Sequence, residues 1–348
     1  MKIINNIISY TFEKAKRSKL IQSLFEAPIN INMMPLMGVF TDSSGDRHPL
    51  YSGYRSKIKP GWGNMLKNTV NYISEPDYKK AAAEGRLNHQ RLKNLIEIFN
   101  EETQSLKILE IGCHLGAVCY SIAETINSEI TGTEFTEYKI SALNKEIDPL
   151  KTNLVASQLN RQREELSNLF KLKGKVSFID DDICNSLLPA DTFDIIISFD
   201  VLEHLHQPSE AFKHIHRILK KDGVAIHEYN PFFSLNGGHS LCTLDFPWGH
   251  CRLNKTDFVR YIKEIRPEET GVAIPFYNEG LNRMTHYDLV EYTRLSGLQL
   301  AGFIKYSKEQ HVRMLSKEIT EKSGFLFPNL TVDDLVAPKV VVIQKKST

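Results

Sequence analysis

No apolar run in this sequence approaches the roughly 20 residues that a helix needs to cross a bilayer, so an ordinary transmembrane helix is not expected. Nor is one sign of charge in excess: 43 Lys and Arg stand against 42 Asp and Glu, a formal net charge of +1. That balance lacks the global electrostatic footprint of a nucleic-acid binder, and no nucleic-acid partner is expected, although a local basic groove stays open. Cysteine is scarce, five in 348 residues and odd in number. With no secretory leader evident, reduced thiols in a cytoplasmic protein are expected rather than a disulfide framework. Repeats and low-complexity tracts are missing too, so the length reads as one large or two modest domains with ample chain to bury a core.

What is present is organised around Leu106 to Glu124, LKILEIGCHLGAVCYSIAE. Ile108, Leu109 and Ile111 predict a buried strand, Gly112 and Gly116 a tight turn, and Ala117, Val118, Ile122 and Ala123 the helix that follows. Glycines let the backbone approach a ligand, and the free N–H groups of a helix start attract negative groups. This is the layout of a nucleotide-cofactor site. The dinucleotide fingerprint, however, needs a second glycine where a pyrophosphate lies against the backbone, and here that position is His114. S-adenosylmethionine has an amino-acid end, a sulfonium, a ribose and an adenine but no phosphate, and it tolerates a side chain there better.

LEIGCHLG resembles motif I of the class I S-adenosylmethionine-dependent methyltransferases, an acidic residue followed by three alternating glycines, with the middle one replaced. The order of the following elements matches that family from about Lys107 to Tyr229 and more loosely to the C-terminus. DVLEHL, then P-x-x-x-F, then I-x-R-x-L-K-x-x-G resembles the small-molecule branch that includes ubiquinone-pathway enzymes. The resemblance implies an α/β, Rossmann-like fold, with a seven-stranded sheet in the order 3-2-1-4-5-7-6 and helices on both faces. It implies S-adenosylmethionine as cofactor, held by Glu110, Gly112, His114 and Gly116 of the turn and by Phe199 at the end of the fourth strand. Glu134, at the tip of the second strand, is placed to accept hydrogen bonds from both ribose hydroxyls. Asp182 and Ile183 fall where the family's acid takes the adenine amino group and the next N–H meets a ring nitrogen, with Asp180 and Asp181 close enough to be confused with them. The three adjacent acids do not suggest a metal site, because successive strand residues point to opposite faces.

Residues 3–25 carry apolar residues with Lys14, Lys16, Arg17 and Lys19 among them, a basic amphipathic pattern that can make a weak peripheral contact with an anionic membrane or pack on the body of the protein. Residues 30–72 show no clear periodicity and read as an irregular cover or wrap. Ser74 is expected to open a helix with Pro76 in its first turn and Leu92, Leu95, Ile96 and Phe99 as its apolar stripe. An extra surface helix is expected after residue 150. The helix started by Pro208 is expected to run to Asp222 and Gly223, a helix over Lys255 to Ile265 follows, and Thr285 with Asp288 caps another whose stripe is Leu289, Tyr292 and Leu295.

Methyl transfer from a sulfonium is an in-line displacement, so the enzyme must align the partners and, for a hydroxyl acceptor, remove a proton. Histidine suits that task. His204 follows the fourth strand, and His239 and His250 lie in an insertion, NPFFSLNGGHSLCTLDFPWGHCRL, that resembles a segment of bacterial methyltransferases of uncertain acceptor. These three are the candidate catalytic residues, against the plainer role of ordering loops. His239, Cys242, His250 and Cys251 raise the question of zinc, but adjacent His250 and Cys251 make a poor ligand pair and no metal is expected.

The expected organisation is an N-terminal helical or irregular extension over residues 1–100 and a methyltransferase domain over 101–348, with a substrate cover inserted at 231–284. The expected activity is O-methylation of a small-molecule or saccharide acceptor. N-methylation of an amine, a nicotinamide-dependent reductase and a non-catalytic cofactor-binding sensor or scaffold remain as alternatives.

Overall fold

A computed structural model describes residues 29–63, 75–99, 105–136 and 149–347. The basic segment at 3–25 and Ser74 lie outside these residues. Two strands, β1 (Leu36–Thr41) and β2 (Arg47–Tyr51), form a separate antiparallel hairpin. The other seven, β3 (Lys107–Ile111), β4 (Glu129–Glu134), β5 (Lys175–Asp180), β6 (Phe193–Phe199), β7 (Leu219–Tyr229), β8 (Leu298–Tyr306) and β9 (Lys339–Lys346), make one sheet in the order β5-β4-β3-β6-β7-β9-β8. Counted from β3, that is the expected 3-2-1-4-5-7-6. Strands β5, β4, β3, β6 and β7 are parallel, and β9 runs antiparallel to both of its neighbours.

Helix α1 (Tyr54–Ile58) follows the hairpin, and α2 (Tyr78–Phe99), α3 (Ala117–Thr125) and α4 (Pro149–Ser167) pack on one side of the sheet. Helix α5 (Pro208–Ile218) lies on the other side, α6 (Lys255–Ile265) belongs to the cover, and α7 (His286–Leu295) packs beside α5. The period-2 alternation of strands sorts the core. Ile108, Ile195, Ile197, Val224 and Ile226 meet Leu92, Ile96 and Ile122 of α2 and α3. Leu109, Ile196 and Ala225 meet Phe212, Ile215 and Leu289 on the opposite face. Strands covered on both faces need the near-continuous apolar runs seen in β3 and β6.

Several boundaries differ from expectation. Helix α2 starts at Tyr78 instead of near Pro76, because the Asp77 carboxylate caps it by accepting the Lys80 N–H at 3.0 Å. Helix α5 ends at Ile218, and β7 already begins at Leu219 and carries an irregularity between the pairings of Phe193 and Ile195, where Asp222 takes a φ of +64°. Leu295 of α7 is 62% exposed and does not join the buried stripe, whereas Leu289 does. The Thr285–Asp288 capping box is present.

Residues 30–72 hold the β1–β2 hairpin and α1 where an irregular wrap was expected. The hairpin shares a core with the insertion: Phe40, Leu50 and Tyr54 pack with Phe232, Phe233, Phe246, Trp248, Phe258 and Tyr261, and with Leu335 near the C-terminus. Polar ties fix the arrangement. Asp257 accepts the Ser43 N–H at 3.0 Å and its hydroxyl at 2.6 Å. Trp248 Nε1 donates to Leu335 O at 3.1 Å. Arg55 forms a buried two-pronged pair with Glu269, and Arg266 pairs with Asp245 at 2.7 Å.

Cutting one partner from a buried ion pair leaves an uncompensated charge, which costs about 3–5 kcal/mol. Glu269→Ala, which strands Arg55, is therefore expected to lose that much in urea unfolding, while Glu321→Ala, which breaks the exposed Lys317–Glu321 pair, leaves the midpoint in place.

Candidate cofactor and acceptor site

The turn after β3 takes a left-handed conformation at three alternate residues, with φ of +68° at Gly112, +48° at His114 and +73° at Gly116. Glycine is required at two of them for space as well. A Cβ on Gly112 would stand 2.5 Å from Val201 Cγ2, and one on Gly116 would stand 2.3 Å from the Phe178 ring. His114 takes a backbone form that L-residues disfavour, and its side chain is exposed. Its backbone is fastened on both sides: its N–H donates to Glu134 Oε2 at 2.6 Å, and its carbonyl accepts from Arg163 Nε at 2.9 Å. Arg163 also lies over Phe178, its guanidinium carbon 4.2 Å from the ring centre. This arginine belongs to α4, so the expected surface helix instead clamps the turn, with Leu159, Gln162, Arg163 and Leu166 buried.

Glu110 is buried beneath the turn and accepts both the Cys119 N–H at 3.0 Å and the Cys119 thiol at 2.9 Å. Burial pushes its carboxyl up to about 7 despite those bonds.

Carboxylates line the cleft at the carboxyl edge of the sheet. Glu134, Asp181, Asp182 and Asp200 share it with Gly112, Phe135, Ile183, Val201, His204, Leu205 and His206, and no lysine or arginine is among these described residues. A second depression, lined by Glu110, His114 and Phe199 among others, meets it at Gly112 and Asp200. The three adjacent acids have separate contacts. Asp180 accepts the Thr136 N–H at 3.1 Å. Asp181 accepts the Leu187 N–H at 3.0 Å through Oδ1, while its Oδ2 is buried with no partner. Asp182 caps the 3-10 turn Ile183–Asn185 through the Cys184 N–H at 2.9 Å, and its other oxygen lies 3.5 Å from His206 Nε2.

Two of the three expected histidines come together. The rings of His204 and His239 are 5.1 Å apart, and His204 Nδ1 bonds Gly280 O at 2.6 Å. Glu203 joins them: its Oε1 accepts the Asn230 N–H at 3.2 Å and stands 3.9 Å from His239 Nε2, beyond hydrogen-bond reach. Burial, followed by the Asp200 charge, pushes the Glu203 carboxyl up to about 8. Burial holds His204 below the usual histidine range, and burial with His204 beside it holds His239 well below.

His250 is a correction. It is 1% exposed in the core of the cover, its Nε2 is 2.8 Å from Phe232 O, and its ring stands edge-on to Phe232. Burial lowers it to about 4. It orders the insertion and does not line the cleft. Cys242 and Cys251 are buried against the backbone carbonyls of Ala273 and Phe233, and the four residues of the zinc question do not converge. Asp181, expected only as a residue easily confused with Asp182, and Asp200, Glu203 and Arg163, not expected, stand at or beside the cleft. The acid run and DVLEHL carry a signal for the first three, whereas nothing local marks Arg163.

Residues 82–264 match the protein family described as a methyltransferase domain, more than half of this chain, and the chain belongs to that family. Among curated proteins, it is 22% identical over 164 residues to a sterol 24-C-methyltransferase of Debaryomyces hansenii, covering 47% of this chain and 36% of that protein. It is 26% identical over 141 residues to a mitochondrial ubiquinone biosynthesis O-methyltransferase of Schizosaccharomyces pombe, covering 39% and 43% respectively. The chain thus spans less than half the length of these relatives. Among solved structures, an S-adenosylmethionine dependent methyltransferase from Mesorhizobium loti aligns with 73% of this chain and 97% of its own at 14% identity and a TM-score of 0.43.

S-adenosylmethionine is the cofactor of the family, and the residues present suit it. A cleft walled by four carboxylates repels a diphosphate and favours a ligand with a sulfonium and an ammonium. The buried orphan oxygen of Asp181 calls for a donor, which an adenine amino group supplies.

The raised Glu110 gives a pH test. Its proton is held more tightly in the folded chain, so its favourable share of stability is complete below its ordinary value of 4.5 and is lost as pH rises through about 7. Relative to Glu110→Gln, the wild type is expected to lose about 2 kcal/mol between pH 5 and pH 8 in paired urea titrations. Parallel curves would refute it.

Proposed function

We propose that the protein transfers a methyl group from S-adenosylmethionine to a hydroxyl of a small molecule or saccharide. The observation that carries this reading is the junction at His204, which lines the acid-walled cleft and also belongs to the Glu203–His204–His239 group. A cofactor lying along the cleft would thus have its reactive end near groups able to handle a proton. In this reading Glu134 takes the ribose hydroxyls. Asp181, or Asp182 beside it, takes the adenine amino group next to Ile183. Gly112, His114 and Gly116 give backbone room, and Glu110 and Phe199 border the amino-acid end.

The bound cofactor supplies an already activated methyl group. What the protein adds is alignment and proton removal: the acceptor O–H loses its proton, an O–C bond forms as the C–S bond breaks, and the products are a methyl ether, S-adenosylhomocysteine and H⁺. Burial keeps His204 and His239 in the neutral form that can receive a proton. The named relatives act on different atoms, carbon 24 of a sterol and an oxygen in ubiquinone biosynthesis. Their shared sequence therefore does not specify the acceptor, which falls to the cover at 231–284.

Calorimetry is expected to show S-adenosylmethionine binding with no binding of NADH, and Glu134→Ala weakening the first by more than tenfold, about 1.4 kcal/mol. His239→Ala is expected to abolish labelled methyl transfer to hydroxyl acceptors with cofactor affinity retained. Transfer to amines alone would replace the O-methylation reading, and cofactor binding without transfer to any acceptor class would favour a sensor.

A further inference from the structure

We infer that Glu203, His204 and His239 form a binding site for a divalent transition-metal ion, facing the acceptor side of the cleft. One ligand atom from each lies within 4.8 Å of the other two. Two histidines and one carboxylate are a donor set used by catalytic zinc and by other first-row divalent ions, leaving positions open for a substrate oxygen. This departs from the expectation, drawn from the cysteines and His250, that no metal binds.

Three observations support it besides proximity. Glu203 is 1% exposed, and its Oε2 is buried with no hydrogen-bond partner. Such an atom ordinarily has a donor, an ion or a water. His239 Nε2 is likewise buried and unpartnered, 3.9 Å from Glu203 Oε1, the oxygen that already accepts the Asn230 N–H. The third is the Nδ1 contact of His204 with Gly280 O at 2.6 Å. A carbonyl can only accept, so Nδ1 carries the proton, the tautomer required for ligation through Nε2, and a backbone carbonyl is a common outer partner for a metal-bound histidine.

The geometry needs a modest closure. Donors at about 2.1 Å from a tetrahedral ion stand roughly 3.4 Å apart, against the 3.9 Å between Glu203 and His239 and the 4.8 Å within which all three donors fall. Glu203 and His204 are fixed on the 3-10 turn Leu202–His204 that follows β6, while His239 comes from the insertion with a φ of +51°. The ion would therefore join the sheet edge to the cover. Its use as a Lewis acid that lowers the pKa of an acceptor hydroxyl, replacing proton uptake by the two ring nitrogens that the ion occupies, rests on the O-methylation reading; its binding does not.

The test uses the full chain, stripped with chelator and titrated with Co²⁺ and with Zn²⁺ in the absence of cofactor and acceptor. One equivalent is expected to bind, with visible d–d absorption for Co²⁺. Glu203→Gln and His239→Asn, checked for folding by circular dichroism and thermal unfolding, are each expected to weaken binding at least 100-fold, while His250→Asn does not. Less than a tenth of an equivalent bound by the wild type would overturn the site. So would unchanged affinity in both ligand variants, or loss instead in Cys184→Ala, which would move the ion to the Asp182–Cys184–His206 group. S-adenosylmethionine affinity is measured on the same samples, so failure of the metal site and failure of the methyl-transfer reading show up separately.

Discussion

The fastening of one residue's backbone on both sides, at His114, is the constraint on which the candidate site depends. Its N–H is held by Glu134 from the tip of β4 and its carbonyl by Arg163 from α4. The turn from Gly112 to Gly116 is thereby tied to two neighbouring elements while the residue at its centre sits in a disfavoured conformation. A glycine there would reach that conformation without cost but would be free to leave it. Histidine gives up that freedom, and the side chain it adds points outward. The turn is thus set before any ligand arrives, and the carboxylate expected to meet a ribose is already oriented by the backbone it supports.

The second constraint is electrostatic. Four acids line one cleft, Arg163 is engaged by the backbone of the turn, and Lys59, Lys339 and Arg91 act on Asp200 from outside that lining. Fields in such a low-dielectric groove are weakly screened, so the sign of the wall selects the sign of the ligand. This is a stronger argument against a diphosphate cofactor than the missing glycine, because the His114 side chain turns out not to obstruct the turn.

Much of the parallel sheet could be read from the sequence because its signal is local. Ile108 to Ile111 and Phe193 to Phe199 are covered on both faces and therefore mostly apolar, interrupted by Glu110, Asp194 and Ser198. Their order along the chain, combined with the right-handed rule for parallel crossovers, leaves few topologies. The hairpin at 36–51 was illegible for the opposite reason. Leu36, Met37 and Val39 are 61%, 53% and 40% exposed, so its apolar residues do not mark its buried side. Helix α4 looked like a surface element because its critical members, Gln162 and Arg163, are polar and yet buried. The histidines show the limit most plainly. His239 and His250 were equivalent in sequence, each in an aromatic, glycine-rich loop, and only the three-dimensional path of the insertion sends one to the cleft and the other into the core.

The side-chain tie between Ser43 and Asp257 spans 214 residues. As the chain leaves the ribosome, the hairpin must wait until Asp257, 214 residues beyond Ser43, has been made before its docking surface exists. Until then Phe40, Leu50 and Tyr54 are uncovered beside an open strand edge, the kind of surface that recruits chaperones or neighbouring chains. Yield in a cell is therefore expected to depend on how quickly translation reaches the insertion as well as on the stability of the finished fold.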